Sequence, residues 1–393
     1  MFAPLNERFC LKGDRKNFTI DFRRNPEDRA AYFGTKKINE EIIQSIRARY
    51  MMGKQPKKIL WGQYGVGKTH TLFNIKYQLQ ESDEAKNIKE YEIRCCFIDA
   101  EFKEKTNYNY LHAQMMEALT LEKVREITGE YLAKNAGVDL EDRLRNKFGG
   151  DANIARAIRA LGYAGEPITI WKWLCGGSLT AAELTSYNLT KNMDTVSEMH
   201  RVLTGVTHLF LDNNIYYLFL LDEMESLHNV RNPDCRASFH DGFRKLADDD
   251  NAAVGFIISI YAMREEDIPN FLFHEDIITR LNRENIHYLE YLAEDDIRQF
   301  LKDLFSLIID NDKKKRKEEE GQVPRNLEYY PLTDAAMEEF VNLAVTAPVA
   351  SLPRNFISAL NEGAIVAAKR ESNVIDVEDL EAAQSIFTES SLG

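Results

Sequence analysis

The chain has 393 residues, which is long enough for two or three domains with separate hydrophobic cores. Hydrophobic residues make up 44% and charged residues 29%, as in a globular protein rather than a disordered one. The formal net charge of -13 disfavours a generally polyanion-binding surface, so binding to DNA would need a local basic patch.

Cysteine usage and hydropathy exclude two further classes. The five cysteines are scattered and predict neither a disulfide framework nor a CxxC metal pair. The first residues lack an apolar signal core, and no run of 18 apolar residues occurs, so neither an export signal nor a membrane span is expected. We therefore expect a cytoplasmic protein with reduced thiols.

The first part of the chain predicts an arm followed by a strand, a loop and a helix. Residues 1–30 are polar and arginine-rich, and we expect them to lie over the surface. The stretch from Asn39 to Met51 has helical spacing of its apolar residues. After it, the short apolar strand KILW runs into the loop GQYGVGKT, and THTLFNIKYQLQES has helical spacing again.

The middle of the chain alternates strands with helices. YEIRCCFIDAEF (91–102) predicts a second strand, and a helical insertion follows at about 104–212. YYLFLLDE (216–223) and AAVGFIISIYA (252–262) are continuous apolar runs, typical of parallel strands covered on both faces. This alternation predicts a doubly wound α/β domain with a parallel sheet.

The strands end at about residue 291, and the rest of the chain has helical patterns. We divide the chain into an arm at 1–30, an α/β core with its insertion at 31–291, and a helical lid domain at 292–393. Between the first two lid helices, the charged run NDKKKRKEEEG predicts a solvated loop.

The glycine-rich loop predicts a phosphate site. Gly62, Gly67, Lys68 and Thr69 match the pattern GxxxxGK[ST]. Glycines allow backbone N–H groups to face a phosphate, and the N-terminus of the next helix favours the same anion. Lys68 would reach the β- and γ-phosphates, and Thr69 would ligate Mg²⁺. The residues expected to contact ATP are Gly62, Gly65, Val66, Gly67, Lys68, Thr69 and His70.

Hydrolysis needs an acidic partner for that loop, and LFLLDE supplies one. Asp222 would hold Mg²⁺, and Glu223 would polarise the attacking water. Ser259, near the end of the next apolar strand, would touch the γ-phosphate or the water, although a buried strand serine would give the same pattern.

These pieces in this order resemble the AAA+ ATPases, most closely the initiator-like branch with Orc/Cdc6 and related prokaryotic ATPases. The resemblance covers roughly residues 30–388. YFGTKKINEEI looks like the segment that borders the adenine pocket, with Gly34-Thr35 where the family usually has GR.

The resemblance also implies roles for two arginines. DIITRLNRENIHYLEYLAEDDI looks like the stretch that carries the arginine finger, which makes Arg280 the finger and Arg283 its rival. SLPRNFISAL looks like the sensor-2 lid helix, so Arg354 would contact the γ-phosphate from the same subunit. An arginine at a helix start is electrostatically unfavourable, which also favours a functional reason for Arg354.

The insertion adds a narrower resemblance. RAIRALGYAGEPITIWKWLCGGSLTAAEL is similar to a segment of ATP-binding proteins associated with BREX-type phage-defence loci. Trp171 and Trp173 are two residues apart and cannot share one helix face. One of them is expected to anchor the insertion, and partner binding by the pair is the alternative.

Together these features imply an oligomeric ATPase with shared nucleotide sites. Such a protein would remodel or load DNA or a DNA-bound protein, in phage defence or genome maintenance. The candidate basic surfaces are FRRNPEDR, RARYMMGKQPKK and NDKKKRK. The alternative is a nucleotide-gated switch with slow hydrolysis that recruits an effector protein. A small-molecule kinase is disfavoured, because no acceptor pocket is visible in the sequence. No membrane partner is expected.

Overall fold

The computed structural model describes residues 4–31, 36–137, 139–163, 167–249, 253–346 and 352–381. Gly34 and Thr35 lie outside the described residues. The chain divides into two compact units. The sheet unit comprises Ile42–Trp61 and Gln78–Tyr288. The terminal unit comprises Met1–Glu41, Gly62–Tyr77 and Leu289–Gly393.

A five-stranded sheet organises the sheet unit, in the order β2-β3-β4-β1-β5. The pairs β2/β3, β3/β4 and β1/β5 are parallel. The strands are β1 Lys57–Gly62, β2 Glu92–Asp99, β3 Ile215–Asp222, β4 Val254–Tyr261 and β5 Ile286–Tyr288. The predicted α/β fold class is confirmed, and so are the first four strands. The sequence analysis missed β5, because three half-buried residues are too few to show a strand pattern.

Helices account for most of the remaining described residues. In chain order they are α1 Leu5–Arg8, α2 Pro26–Ala30, α3 Lys36–Met51, α4 Lys68–Lys76, α5 Asp83–Asn87, α6 Tyr108–Leu119, α7 Leu121–Lys134, α8 Leu140–Lys147, α9 Ala152–Tyr163, α10 Pro167–Leu174, α11 Ala181–Ser186, α12 Val196–Leu211, α13 Pro233–Asp248, α14 Glu275–Leu281, α15 Glu294–Ile308, α16 Asn311–Glu319, α17 Asp334–Thr346, α18 Pro353–Lys369 and α19 Val377–Glu381.

Helices α6 to α12 fill the stretch between β2 and β3 and share one hydrophobic core with the sheet. Thr195 begins α12 with a capping box in which its side chain pairs with the backbone of Glu198 and the Glu198 carboxylate pairs back. On α10, Trp173 is buried and donates its ring N–H to the Lys191 carbonyl at 3.3 Å, whereas Trp171 is only half-buried. Trp173 is therefore the anchor of the pair.

The terminal unit has its own core, built on α15, α17 and α18. The first residues of the chain belong to this core rather than to the surface. Phe9 and Phe18 are fully buried, and the Phe18 ring meets the Phe305 ring edge-on at 6.3 Å. The Phe18 N–H also donates to Asn361 Oδ1 at 2.8 Å. The prediction of a surface arm was wrong because it was based on the many charged residues of this segment and not on its few aromatic ones.

The charged run after α15 is a helix, not the predicted loop. Asp310 caps α16 by accepting from the N–H groups of Asp312 and Lys313. No residue of α16 is buried, so its solvation was expected correctly, but its basic run followed by an acidic run allows ion pairs between successive helical turns, such as Lys314 with Glu318 at 3.7 Å. Among the described residues, no helix is long and apolar enough to cross a bilayer.

Candidate functional site

The phosphate loop of the terminal unit has the predicted setting of strand, glycine turn and helix. The loop leaves β1 at Gly62, and α4 begins at Lys68. Gly65 and Gly67 have φ angles of +82° and +99°, which side chains other than glycine rarely adopt. The backbone path of the loop therefore requires glycine at these two positions.

Apolar contacts within the terminal unit fix the position of the loop. Val66 is buried against Leu289 and Leu352. A Cβ added at Gly62 would lie 2.8 Å from the Leu289 carbonyl oxygen, which is too close for any side chain. Gly62, with a φ of +158°, is thus required by packing as well as by its φ angle.

The loop also holds the two polar side chains that the motif assigns to phosphate and metal. Lys68 is 9% exposed, and its Nζ donates to the carbonyl oxygens of Gly62 and Gln63, each at 2.9 Å. These bonds keep the ammonium group inside the loop. The half-buried Thr69 hydroxyl makes no hydrogen bond within the described residues, which leaves it available to a ligand.

The His70 side chain faces the N-terminal segment and not the loop. Its ring stacks on Phe22 with a centroid distance of 5.5 Å, and its Nε2 lies 2.8 Å from the Ala31 carbonyl oxygen. Burial lowers the pKa of His70 to about 4, so the ring is neutral at physiological pH. Only the main-chain N–H of His70, in the first turn of α4, remains suited to bind an anion.

Arg354 lies in the first turn of α18, beside the phosphate loop. A Cβ added at Gly65 would be 3.4 Å from Arg354 Cβ and 3.6 Å from a Leu352 methyl group. The Arg354 side chain is exposed, and its guanidinium makes no hydrogen bond or ion pair with the described residues. An uncommitted cation therefore accompanies the loop within the terminal unit.

In the sheet unit, two buried polar side chains lie at the carboxyl ends of adjacent strands. Asp222 ends β3 and is 1% exposed, and Ser259 on β4 is fully buried. The pairing of Leu221 with Ile258 makes them neighbours in the sheet. Asp222 Oδ2 and Ser259 Oγ have no hydrogen-bond partner among the described residues. Buried polar atoms without partners are costly, so these two atoms are candidates for contact with a ligand or a water molecule.

Glu223 follows Asp222 in a strained conformation. Its φ of 54° and ψ of 35° are left-handed, and its side chain is exposed. Two hydrogen bonds fix the turn that follows it. Glu225 Oε2 accepts from the N–H of Tyr261, at the end of β4, at 3.1 Å. Ser226 Oγ donates to the carbonyl of Ala100, just after β2, at 3.1 Å. Strain of this kind persists where the surroundings enforce it, typically at functional sites.

Three polar residues around this acidic end were missed from sequence. Asp99 ends β2 and pairs in register with Asp222, which brings a second carboxylate to the same edge of the sheet. The sequence did carry a signal for it, since FID and LLD both end apolar strands in an aspartate. Glu225 and Ser226 carried no such signal, because their partners lie far away in the chain.

The two candidate finger arginines differ in their environment. Arg280, on α14, pairs through Nε with Asp248 and donates to the main-chain oxygen of Asp276. Arg283 pairs with Glu265 at 3.1 Å, and its side chain is 73% exposed, compared with 33% for Arg280. The structure therefore leaves Arg283 freer to extend, and it holds Arg280 more firmly.

Several lysines of the predicted basic surface are engaged in hydrogen bonds within the protein. Lys313, Lys314 and Lys317 donate to main-chain carbonyls of Leu11, Leu327 and Arg8 at 3.1, 3.0 and 3.0 Å. Lys58 is 2% exposed and donates to Asn285 Oδ1 at 3.0 Å. The run NDKKKRK thus helps to hold Arg8 and Leu11 in place, while its Lys315 and Arg316 remain exposed.

Comparison with known proteins is informative only at the level of the fold. No protein-family model matches the sequence, and no curated protein does either. The Aeropyrum pernix ORC2 protein in ADPNP–ADP complexes is similar, with 12% identity over 98% of this chain and 74% of that chain and a TM-score of 0.53.

Two other solved structures show a weaker likeness. The A. pernix ORC1 protein in complex with DNA has 10% identity over 92% of this chain and 67% of that chain, with a TM-score of 0.49. The Thermotoga maritima RuvB Holliday junction branch migration motor has 10% identity over 93% of this chain and 73% of that chain, with a TM-score of 0.41. The likeness to ORC2 concerns the fold alone, a parallel α/β sheet surrounded by helices.

Proposed function

We propose that this chain binds ATP and hydrolyses it to ADP and phosphate. The observation that carries the proposal is Asp222, a buried carboxylate with an unpaired oxygen at the end of a central strand. A buried carboxylate left without a partner is costly unless a ligand completes it. The GxxxxGKT loop with its required glycines and its enclosed ammonium supports the nucleotide part of the proposal.

The residues present fit both ATP and Mg²⁺. Carboxylate and hydroxyl oxygens are the donors that Mg²⁺ prefers, and Asp222 and Thr69 offer oxygens without protein partners. When bound, the ion neutralises phosphate charge. Lys68 and the main-chain N–H groups of the loop would bind the phosphates, and Arg354 would contact the terminal one.

Within the sheet unit, Glu223 would orient the attacking water and accept its proton. Ser259 would hold the water or a phosphate oxygen. Asp99, next to Asp222, would bind water in the shell of the ion. We assign Arg280 as the finger of a neighbouring subunit and retain Arg283 as its rival, which makes the protein an oligomer with shared sites.

We propose that ATP hydrolysis by this chain remodels or loads a partner protein, or DNA to which such a protein is bound, in phage defence or genome maintenance. The ORC2 protein in its ADPNP–ADP complexes gives a precedent for nucleotide on this fold. The engagement of the basic lysines described above favours a protein partner over direct contact with duplex DNA. The alternative function is a switch that retains nucleotide and recruits an effector protein.

Steady-state ATP turnover tests the proposal, with wild type compared with Glu223→Gln and with Glu84→Gln as the matched control. Glu84 lies on the surface and pairs with Arg47, so its loss costs little. We expect Glu223→Gln to reduce turnover about 10²–10⁴-fold while ATP still binds, and Glu84→Gln to behave as wild type. Equal turnover in all three proteins would contradict the assignment.

Two additions to the same assay separate the alternatives. Lys68→Ala should abolish binding of a fluorescent ATP analogue, and unchanged affinity would contradict the phosphate loop. Turnover stimulated by DNA supports a remodelling or loading activity. Tight nucleotide retention with negligible turnover, with or without DNA, supports the switch.

A further inference from the structure

Three potential metal ligands meet where α13 packs on α14, one turn before Arg280, and the proposed ATPase activity assigns none of the three a role. His240 lies on α13, His274 immediately precedes α14, and Asp276 lies in its first turn. The ligand atoms of these three residues all lie within 4.8 Å of one another. Asp276 Oδ1 is 2.7 Å from His274 Nδ1 and 3.2 Å from His240 Nε2.

The chemistry of this group is specific. Two imidazoles and one carboxylate form the ligand set of zinc sites that keep a water molecule in the fourth position. Hard cations such as Mg²⁺ and Ca²⁺ take oxygen ligands instead, so an imidazole pair selects a first-row transition metal. Zinc bonds of about 2.0–2.1 Å place tetrahedral ligand atoms roughly 3.3 Å apart. The separation of 3.2 Å between His240 and Asp276 is close to that value, and the 2.7 Å between His274 and Asp276 would have to widen by about 0.6 Å on metal binding.

Both helices that carry the cluster are fixed by the core. Phe239 and Phe243 of α13 are buried, as are Ile277 and Leu281 of α14. Ligands on rigid helices hold their geometry better than ligands on loops. The His274 side chain is 61% exposed, which gives a metal ion access and leaves room for a bound water.

The charges around the cluster both favour and oppose a cation. The Asp276 carboxylate, in contact with His274 and His240, supplies the negative charge of the cluster. Arg280 is the opposing cation, with Nη1 4.0 Å from Asp276 Oδ2. Its pairing with Asp248 offsets part of this opposition.

We propose that His240, His274 and Asp276 bind one Zn²⁺ ion, or a similar first-row transition-metal ion, with water as the remaining ligand. The proposal stands independently of the ATPase assignment. It requires only that the two histidines replace their hydrogen bonds to Asp276 by bonds to the metal.

Titration of the nucleotide-free full-length protein with Co²⁺ tests the site, because tetrahedral Co²⁺ has visible absorption bands that the aqueous ion lacks. We expect one equivalent to bind with a tetrahedral spectrum and without thiolate charge-transfer bands. Zn²⁺ should displace the Co²⁺ and raise the Tm. His274→Ala and Asp276→Asn should lose both effects, whereas His208→Ala, on α12, should retain them.

The result is decisive in each direction. No binding, an octahedral spectrum, thiolate bands or unchanged binding in His274→Ala would overturn the proposal. His274 is exposed, so its variant is expected to fold, and its Tm without metal checks that directly.

Discussion

At the scale of single residues, buried histidines link the fold to pH. His112 on α6 is fully buried, its Nε2 lies 2.8 Å from the Leu174 carbonyl oxygen, and its Nδ1 has no partner among the described residues. Burial is the main reason that its pKa falls to about 4, and His200 adds to the effect. The folded protein therefore resists protonation at a position where the unfolded chain accepts it.

This predicts loss of stability in mild acid. In the unfolded chain His112 takes up a proton as the pH falls below about 6.5, whereas in the folded protein it does so only near 4. The contribution of neutral His112 to the free energy of unfolding is therefore fully present above pH 6.5 and is lost as the pH falls towards 4. Between pH 8 and pH 5 this one residue should cost about 2 kcal/mol. Urea denaturation of His112→Gln, which keeps a donor for Leu174, should show that much less pH dependence.

The exposed His228 provides the control, because His228→Gln should keep the pH dependence of the wild type. If His112→Gln lost stability in acid as steeply as the wild type, the buried neutral state of His112 would be disproved.

Residues of the candidate site were predictable where the chemistry is local in sequence. The motif around Lys68 and the acidic end of β3 at Asp222 are each contained in a few consecutive residues. Asp99 was missed because its role depends on strand register, and the packing role of the His70 ring was missed because it depends on Phe22. The position of Arg354 beside Gly65 followed only from resemblance, since no local pattern links residues that far apart.

At the scale of elements, hydrophobic runs were reliable guides and composition was not. The buried strands β3 and β4 were evident because parallel strands covered on both faces are apolar throughout. The first residues of the chain were misjudged because their many charges concealed Phe9 and Phe18, which complete a core made mainly by residues after Leu289. Contacts between such distant segments leave no periodic signal.

This arrangement predicts a large effect of Phe18→Ala. The substitution removes a buried aromatic side chain and leaves a cavity, which should cost about 3–5 kcal/mol in the free energy of unfolding. Tyr163→Ala, at a side chain that is 63% exposed, should change it by less than about 0.5 kcal/mol. Urea denaturation measures the free energy of unfolding of both variants. Equal stability of the two would support the prediction from the sequence that residues 1–30 lie over the surface.

At the scale of the whole molecule, the proposed shared site predicts complementation between variants. Arg280→Ala should bind ATP but lose turnover, by ~10³–10⁵-fold for an arginine that completes a neighbouring site. Mixed with Glu223→Gln, it should regain part of the activity, because some interfaces then combine an intact glutamate with an intact arginine.

Arg283→Ala in the same mixture decides between the two arginines. If Arg283 is the finger, rescue appears with Arg283→Ala, while Arg280→Ala alone keeps its turnover. Absence of rescue with either variant would contradict a site shared between subunits.

The burial of Phe18 against Phe305 also constrains the order of events during synthesis. Phe9 and Phe18 leave the ribosome well before Phe305 and Asn361, which Phe18 contacts in the folded protein. The sheet unit is translated in between and has its own core. Two aromatic side chains therefore stay exposed to water and to chaperones until Phe305 and the rest of the helical core have been translated and can pack around them.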